Sequence, residues 1–280
     1  MLREHSIFPA KKKRSRLIFW VLILVFCLVI LVLTAVLYFV FYSEALKVKN
    51  FELVGSRLVS KNVLVSALTS ENLKRTDFLK WFGPENMLFW MMNPSVLVLK
   101  NIAVVKDVEI TTDFGGKSVK ATVRERSPYG ILCESRNVHQ DALRGEPSGE
   151  ANQCYVFDDA GIIFSPAAEV QGFLILKIND KNKRNLVLGG SILSKSDWVS
   201  NVFETVKIMA ESGLKVSEVA LNDLNLEEWE ARIANGPLIY FNLNFIPSDL
   251  KNILRNLAEK FNLGELTYID LRVPNRIYQK

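Results

Sequence analysis

Hydrophobic and polar positions along the chain fall into three regimes. Leu17 to Tyr42 is an unbroken apolar run of 26 residues without a charge. From Lys47 to Arg126, short alternating runs enclose stretches with helical spacing. Strand "LKVKNFELVG" stops at Gly55, and "KNVLVSAL" predicts a helix capped by Ser60, with Val63, Leu64 and Leu68 toward a core. Asn93-Pro94 predicts the start of a second helix through "SVLVLKN". Next come two alternating runs around a turn at Phe114 to Gly116. One places Val104, Val108 and Ile110 on a face, the other Val119, Ala121 and Val123, which is a hairpin pattern.

From Tyr129 onward, strands predominate: "YGILCE", "CYVF", "IIFS" and "FLILKI", with Asp158-Asp159-Ala160-Gly161 as a hairpin turn. Helical stripes run from Asp197 to Leu214 (Trp198, Val202, Val206, Met209) and from Asp249 to Phe261 (Leu250, Ile253, Leu254, Leu257, Phe261), the latter stopped by Gly264. Strands "VSEVAL", "EARIA" and "PLIYFNLNF" surround them. In the closing "LTYIDLRVPNRIYQK", Thr267, Ile269, Leu271 and Val273 fall on one side and Tyr268, Asp270 and Arg272 on the other. That strand is expected to leave an unpaired edge. The expected class is α+β: a single N-terminal transmembrane helix, a β-α-α-β-β module, then a strand-rich mixed α/β domain ending on an edge strand.

The apolar run would span ~39 Å as a helix, enough for one pass through a ~30 Å bilayer core. Phe19 and Trp20 near one end and Tyr38 and Tyr42 near the other match interfacial belts. Arg3, Lys11, Lys12, Lys13, Arg14 and Arg16 precede the run and Glu44 follows it, which predicts a cytoplasmic N-terminus and an external body. Ser43-Glu44-Ala45 has the small-x-small form of a cleavage site, but signal-peptide apolar cores are only ~7–15 residues, so an uncleaved anchor is expected. The expected division is 1–16 cytoplasmic tail, 17–42 transmembrane helix, 47–127 first module and 128–280 second domain.

Charge then removes one class of function. Six of the 35 basic residues and one of the 30 acidic ones lie in the tail, so the rest is balanced at 29 of each. An exported body without basic surplus has no counterion-release term for nucleic acid. The bilayer is the expected non-protein partner, with no nucleic acid.

Cys27 lies in the apolar run, whereas Cys133 and Cys154 flank the polar, disordered-looking stretch 135–152 in external strands. Two readings stand: a disulfide contributing ~3 kcal/mol, or two thiols in neighbouring strands. His139 is the only histidine of the body, and no metal-ligand spacing, nucleophile elbow or phosphate loop occurs. Cys133 with His139 as nucleophile and base is the weaker use of that cysteine, and Asp158 and Asp159 before glycine are ordinary turn chemistry. No enzyme, cofactor or metal is expected. "FLKWFGPENMLFWMM", Phe78 to Met92, reads either as core under a long loop or as a membrane-proximal or partner-binding surface.

Taken together, "FELVGSRLVSKNVL" (Phe51 to Leu64), "NMLF" (Asn86 to Phe89), "VRERSP" (Val123 to Pro128), "YVFDDAGIIF" and "YIDLRV" resemble, in order and spacing, the FtsQ/DivIB family of bitopic bacterial division proteins. The resemblance implies that the first module is a POTRA domain facing the membrane and other anchored division proteins. It also implies a divisome scaffold without catalysis, in the cytoplasmic (inner) membrane at the division septum. Its implied partners are FtsB/DivIC-like and FtsL-like bitopic proteins and other divisome membrane proteins. The implied contact residues are Val273, Arg276, Ile277 and Tyr278 beside the strand Tyr268, Ile269, Asp270, Leu271 and Arg272. Asp270 and Arg272 have an equal alternative, pairing within the domain. The rival function is a POTRA-bearing anchored protein of export or envelope assembly.

Overall fold

A computed structural model describes residues 12–75, 80–92, 96–134, 153–168, 175–182, 184–260 and 263–280. The apolar run forms helix α1, Lys12–Tyr42. Its stretch Ile18–Tyr42 is long and apolar enough to cross a membrane. Every residue from Ile18 to Phe39 is exposed, and only Val40 and Phe41 are partly covered.

There follow β1 (Asn50–Val54), α2 (Lys61–Arg75), α3 (Met87–Met91), β2 (Val96–Leu97), β3 (Val105–Asp113) and β4 (Ser118–Glu125). They build a four-stranded sheet in the order β1-β4-β3-β2. β1 runs parallel to β4, from Asn50 opposite Ser118 to Val54 opposite Thr122. A parallel pair needs a crossover, and the chain between the two carries the helices.

Several expectations change here. α2 continues past Leu68 to Arg75, and its buried line is Leu64, Leu68 and Asn72, spaced by four. Val63 lies one residue off that line, roughly 100° round the helix, and is exposed. The second helix is not the expected one. Asn93 and Pro94 lie outside the described residues, and α3 lies before them, where the Asn86 side chain accepts from the Leu88 N–H at 2.9 Å. Val96 and Leu97 are extended, one exposed and one buried, because alternating Val and Leu suit a pleat better than a helix. In β3, Val105 rather than Val104 is fully buried beside Val108 and Ile110. β4 buries Val119, Ala121 and Val123 as expected. The aromatic stretch divides: Met87, Phe89 and Trp90 are core, whereas Trp81, Met91 and Met92 are exposed. Phe78 lies outside the described residues.

The chain separates into two compact units: Met1–Val54, Lys61–Leu97 and Glu109–Thr122 in one, and Gly55–Ser60, Val98–Val108 and Val123–Lys280 in the other. The second unit holds β5 (Gly130–Glu134), β6 (Cys154–Phe157), β7 (Ile163–Ala167), β8 (Leu176–Asp180), β9 (Val216–Asp223), β10 (Glu228–Ile233), β11 (Leu238–Asn242), β12 (Tyr268–Asp270) and β13 (Tyr278–Gln279). These make one sheet ordered β13-β12-β11-β10-β9-β8-β5-β6-β7. Helices α4 (Ser196–Glu211) and α5 (Leu250–Lys260) supply Trp198, Val202, Met209, Leu250 and Leu254 to a core shared with Ile178, Trp229, Phe241 and Ile269 of the sheet. Polar cross-strand pairs mark other sheet positions: Lys181 with Glu230 at 3.0 Å, Asn222 with Glu230 at 2.5 Å, and Asn179 with Glu218. The sheet is mixed, with β5–β8, β8–β9 and β11–β12 parallel and its other five pairings antiparallel.

The closing strand departs most from expectation. β12 spans three residues and is interior: it runs parallel to β11 and antiparallel to β13. The predicted unpaired edge of Tyr268 to Arg272 is therefore filled by the chain itself. Proline cannot continue a ladder, and Pro274 is followed by Asn275 at φ 60°, a conformation asparagine tolerates. The chain turns there, so Val273 is exposed instead of sharing the inward side with Ile269 and Leu271.

Candidate functional site

The β13 edge is built from backbone first. Tyr268 and Lys280 exchange hydrogen bonds in both directions, each 3.2 Å. Such pairs alternate with non-bonded ones in an antiparallel ladder, so the next pair, Ile269 with Gln279, is non-bonded. The N–H and C=O of Gln279 accordingly face away from β12. Val273, Ile277 and Tyr278 are exposed beside them, and Arg276 donates to the Tyr278 hydroxyl at 3.4 Å.

Behind this edge lies a charged cluster. Arg272 grips Asp270 with Nε to Oδ1 at 2.9 Å and Nη2 to Oδ2 at 2.6 Å, and its Nη1 reaches Glu228 Oε2 at 2.7 Å. Its guanidinium carbon lies 5.1 Å from the centroid of the Tyr240 ring, and Tyr268 meets the same ring edge-on at 6.1 Å. Hydrogen bonds from Arg272 hold the Asp270 carboxyl below its ordinary range, and those to Asp270 raise Arg272. Of the nine contact residues expected from sequence, Ile269 and Leu271 have their side chains in the core, and Tyr268 is half-buried. Asp270 and Arg272 pair within the domain, while Val273, Arg276, Ile277 and Tyr278 lie on the surface. Glu228, Tyr240 and Gln279 escaped sequence reasoning because only the register of β10, β11 and β13 brings them here. The outward positions of "EWEARI" and "LIYFN" were the available signal.

A second constellation joins stretches far apart in sequence. Gly55 sits at φ 88°, and a Cβ there would lie 2.3 Å from the Val123 carbonyl oxygen. The Glu125 carboxylate accepts from the Arg57 and Leu58 N–H groups, each at 2.8 Å. Arg126 donates to the Ala103 carbonyl at 3.0 Å and pairs with buried Asp158. Asp158 in turn accepts from the N–H groups of Ala160 (3.1 Å) and Ile162 (2.8 Å), closing the turn to Gly161. The Val123-x-Glu-Arg motif and the aspartate-x-x-glycine turn are thus one connected scaffold, with both acids engaged structurally.

Cys133 and Cys154 are bonded, directly opposite one another on β5 and β6 with Cα atoms 4.1 Å apart. Cys133 therefore offers no free thiol, which overturns the nucleophile alternative; His139 lies outside the described residues. A cleft of about 630 Å³ is lined by Tyr129, Asp159, Ser200, Phe203, Glu204 and Lys207 among others. Burial, then Glu204, pushes the Tyr129 hydroxyl up. Among the described residues, no group of three or more His, Cys, Asp or Glu is placed to hold a metal ion. Compared with models of known families and with characterised proteins, the chain gives no match.

Proposed function

We propose that this chain is a membrane-anchored scaffold of the bacterial divisome, acting through protein–protein contacts and not through catalysis. The observation that carries the proposal is the β13 edge. Gln279 presents its backbone groups outward beside exposed Val273, Ile277 and Tyr278. Such an edge takes up an added strand by main-chain hydrogen bonds, with neighbouring side chains setting specificity. The proposed occupant is a segment of an FtsB/DivIC-like bitopic protein, with an FtsL-like protein in the same assembly. Two further features support the reading. α1 is long and apolar enough to anchor the chain, with a basic flank that favours a cytoplasmic N-terminus. The strand, two helices and hairpin, with β1 beside β4, fit a POTRA arrangement.

A fluorescent fusion imaged in dividing cells tests the role: a mid-cell ring is expected, and an even envelope signal would support envelope assembly or export instead. Gln279→Pro tests the edge, since it removes an outward N–H without touching the Tyr268–Lys280 bonds. It is expected to abolish co-purification of the bitopic partner; undiminished capture would move the interface elsewhere.

A further inference from the structure

The loop between α2 and α3 is fastened to the last turn of α1. The Asn86 side-chain amide donates to the Val40 carbonyl at 2.9 Å. The Phe82 ring stacks on Phe41, with centroids 5.3 Å apart and planes 15° apart. The Met87 N–H bonds to the Leu46 carbonyl at 2.7 Å, and the Val48 N–H to the Glu85 carbonyl at 2.8 Å. The Trp90 indole N–H returns to the Pro84 carbonyl at 2.8 Å, turning α3 back on the same loop. These bonds explain why Val40 and Phe41 are the covered residues of an otherwise bare apolar helix.

Depth follows from length. The 25 residues Ile18–Tyr42 extend ~37 Å, against a hydrocarbon core of ~30 Å and ~40–45 Å with headgroups. Val40 and Phe41 are within two residues of the end, ~3 Å along the axis, and therefore sit at the interfacial layer. Whatever bonds to them shares that depth. Trp81 precedes Phe82 directly, a Cα step of ~3.8 Å, and is 73% exposed. Met91 and Met92, just past Trp90, are 54% and 53% exposed. Tryptophan is the side chain that favours the headgroup level, where its ring meets acyl chain and its N–H meets water. Tyr38 and Tyr42, both exposed and stacked at 5.3 Å, occupy the same level on α1.

We infer that Trp81, with Met91 and Met92, forms a second lipid contact, seated at the headgroup–acyl boundary where α1 leaves the bilayer. This rests on the reading of α1 as a membrane anchor. The contact turns a single-helix anchor into a two-point attachment and orients the first unit against the membrane. The occupant is the lipid surface, since the loop that carries Trp81 is fastened to the end of an exposed apolar helix long enough to cross a bilayer.

The test uses the full chain, labelled with 5-fluorotryptophan, in nanodiscs whose lipids carry a nitroxide on the headgroup or in the acyl chain. Trp81→Phe assigns one fluorine resonance and, at an exposed site, leaves the fold intact. Trp20, two residues inside the other end of the span, is expected to broaden with the headgroup nitroxide, which reads the anchor independently. Trp81 is expected to lose intensity with the headgroup nitroxide, while Trp229, buried at 1%, stays sharp. A sharp Trp81 beside a broadened Trp20 overturns the inference and leaves the patch to a protein partner. A sharp Trp20 removes the anchor reading and the inference with it.

Discussion

The nine-stranded sheet has two edges, and they are finished in opposite ways. At β7 the outer side is covered: Ile163 bonds through its N–H to the Gly190 carbonyl at 2.8 Å and through its C=O to the Gly189 N–H at 2.7 Å. Pro166 then removes a donor further along the same strand. The Cys133–Cys154 bond and the Arg126–Asp158 pair hold the neighbouring strands and their turn. At β13 the last strand is two residues long, without proline, and is supported by a half-exposed arginine cluster. Proteins blunt edges that must not pair. Among the described residues, the edge at β7 is covered and stapled, whereas the edge at β13 is only kept short, which leaves the outward groups of Gln279 as the place for an added strand under the proposed function.

The largest test of that contrast is Arg126→Ala. Asp158 is 1% exposed and Arg126 12%, so the variant strands a buried carboxylate. Urea unfolding is expected to show a loss of about 3–5 kcal/mol. A loss no larger than that of a surface substitution would mean the β6–β7 turn is not locked by this pair. Replacing both Cys133 and Cys154 by alanine comes next. With 21 residues of separation, chain entropy predicts a loss of about 3 kcal/mol, while partner capture at β13 persists. If capture were lost too, the two edges would not be independent.

At the open edge the effects shrink. Arg272→Ala is expected to cost about 1 kcal/mol, because the Asp270 and Glu228 carboxylates it abandons keep access to water. The same cluster gives a pH signature. Asp270 is held below its unfolded value of ~3.9, so its stabilisation is complete above that pH and disappears as pH falls through the lower folded value. Asp270→Asn should flatten this acid limb in unfolding titrations; an unchanged limb would assign it to other carboxylates. Smallest of all, Gln279→Pro should change stability by no more than about 0.5 kcal/mol, since it touches no internal bond. A larger loss would show that the outward backbone of β13 is already engaged within the fold.

Much of the fold was legible before the structure. The hairpin core Val119, Ala121 and Val123 followed from alternation alone, as did the stripe of α4 and that of α5 from Leu250 to Leu257; Phe261 lies outside the described residues. Legibility failed where local signals competed. Asn93-Pro94 looked like a helix start, yet Asn86 capped the real helix and the Val-Leu alternation won at β2. It failed again at the candidate site, for a different reason. The period of "TYIDLRV" identified a strand, but a period does not say which neighbour lies alongside.

By itself, then, the sequence determined the apolar helix, the neutral body, the strand-rich class and the turn chemistry at Gly55 and Gly161. These depend on residue type and on spacing within a few positions. Only the tertiary structure decided that the chain pairs its own final residues with β12. It also decided that Glu228 and Tyr240 hold Arg272, and that Asn86 and Phe82 fasten a loop to α1. Those contacts join residues more than 30 positions apart or turn on which strand fills an edge. They arise from register and packing, which no local pattern encodes.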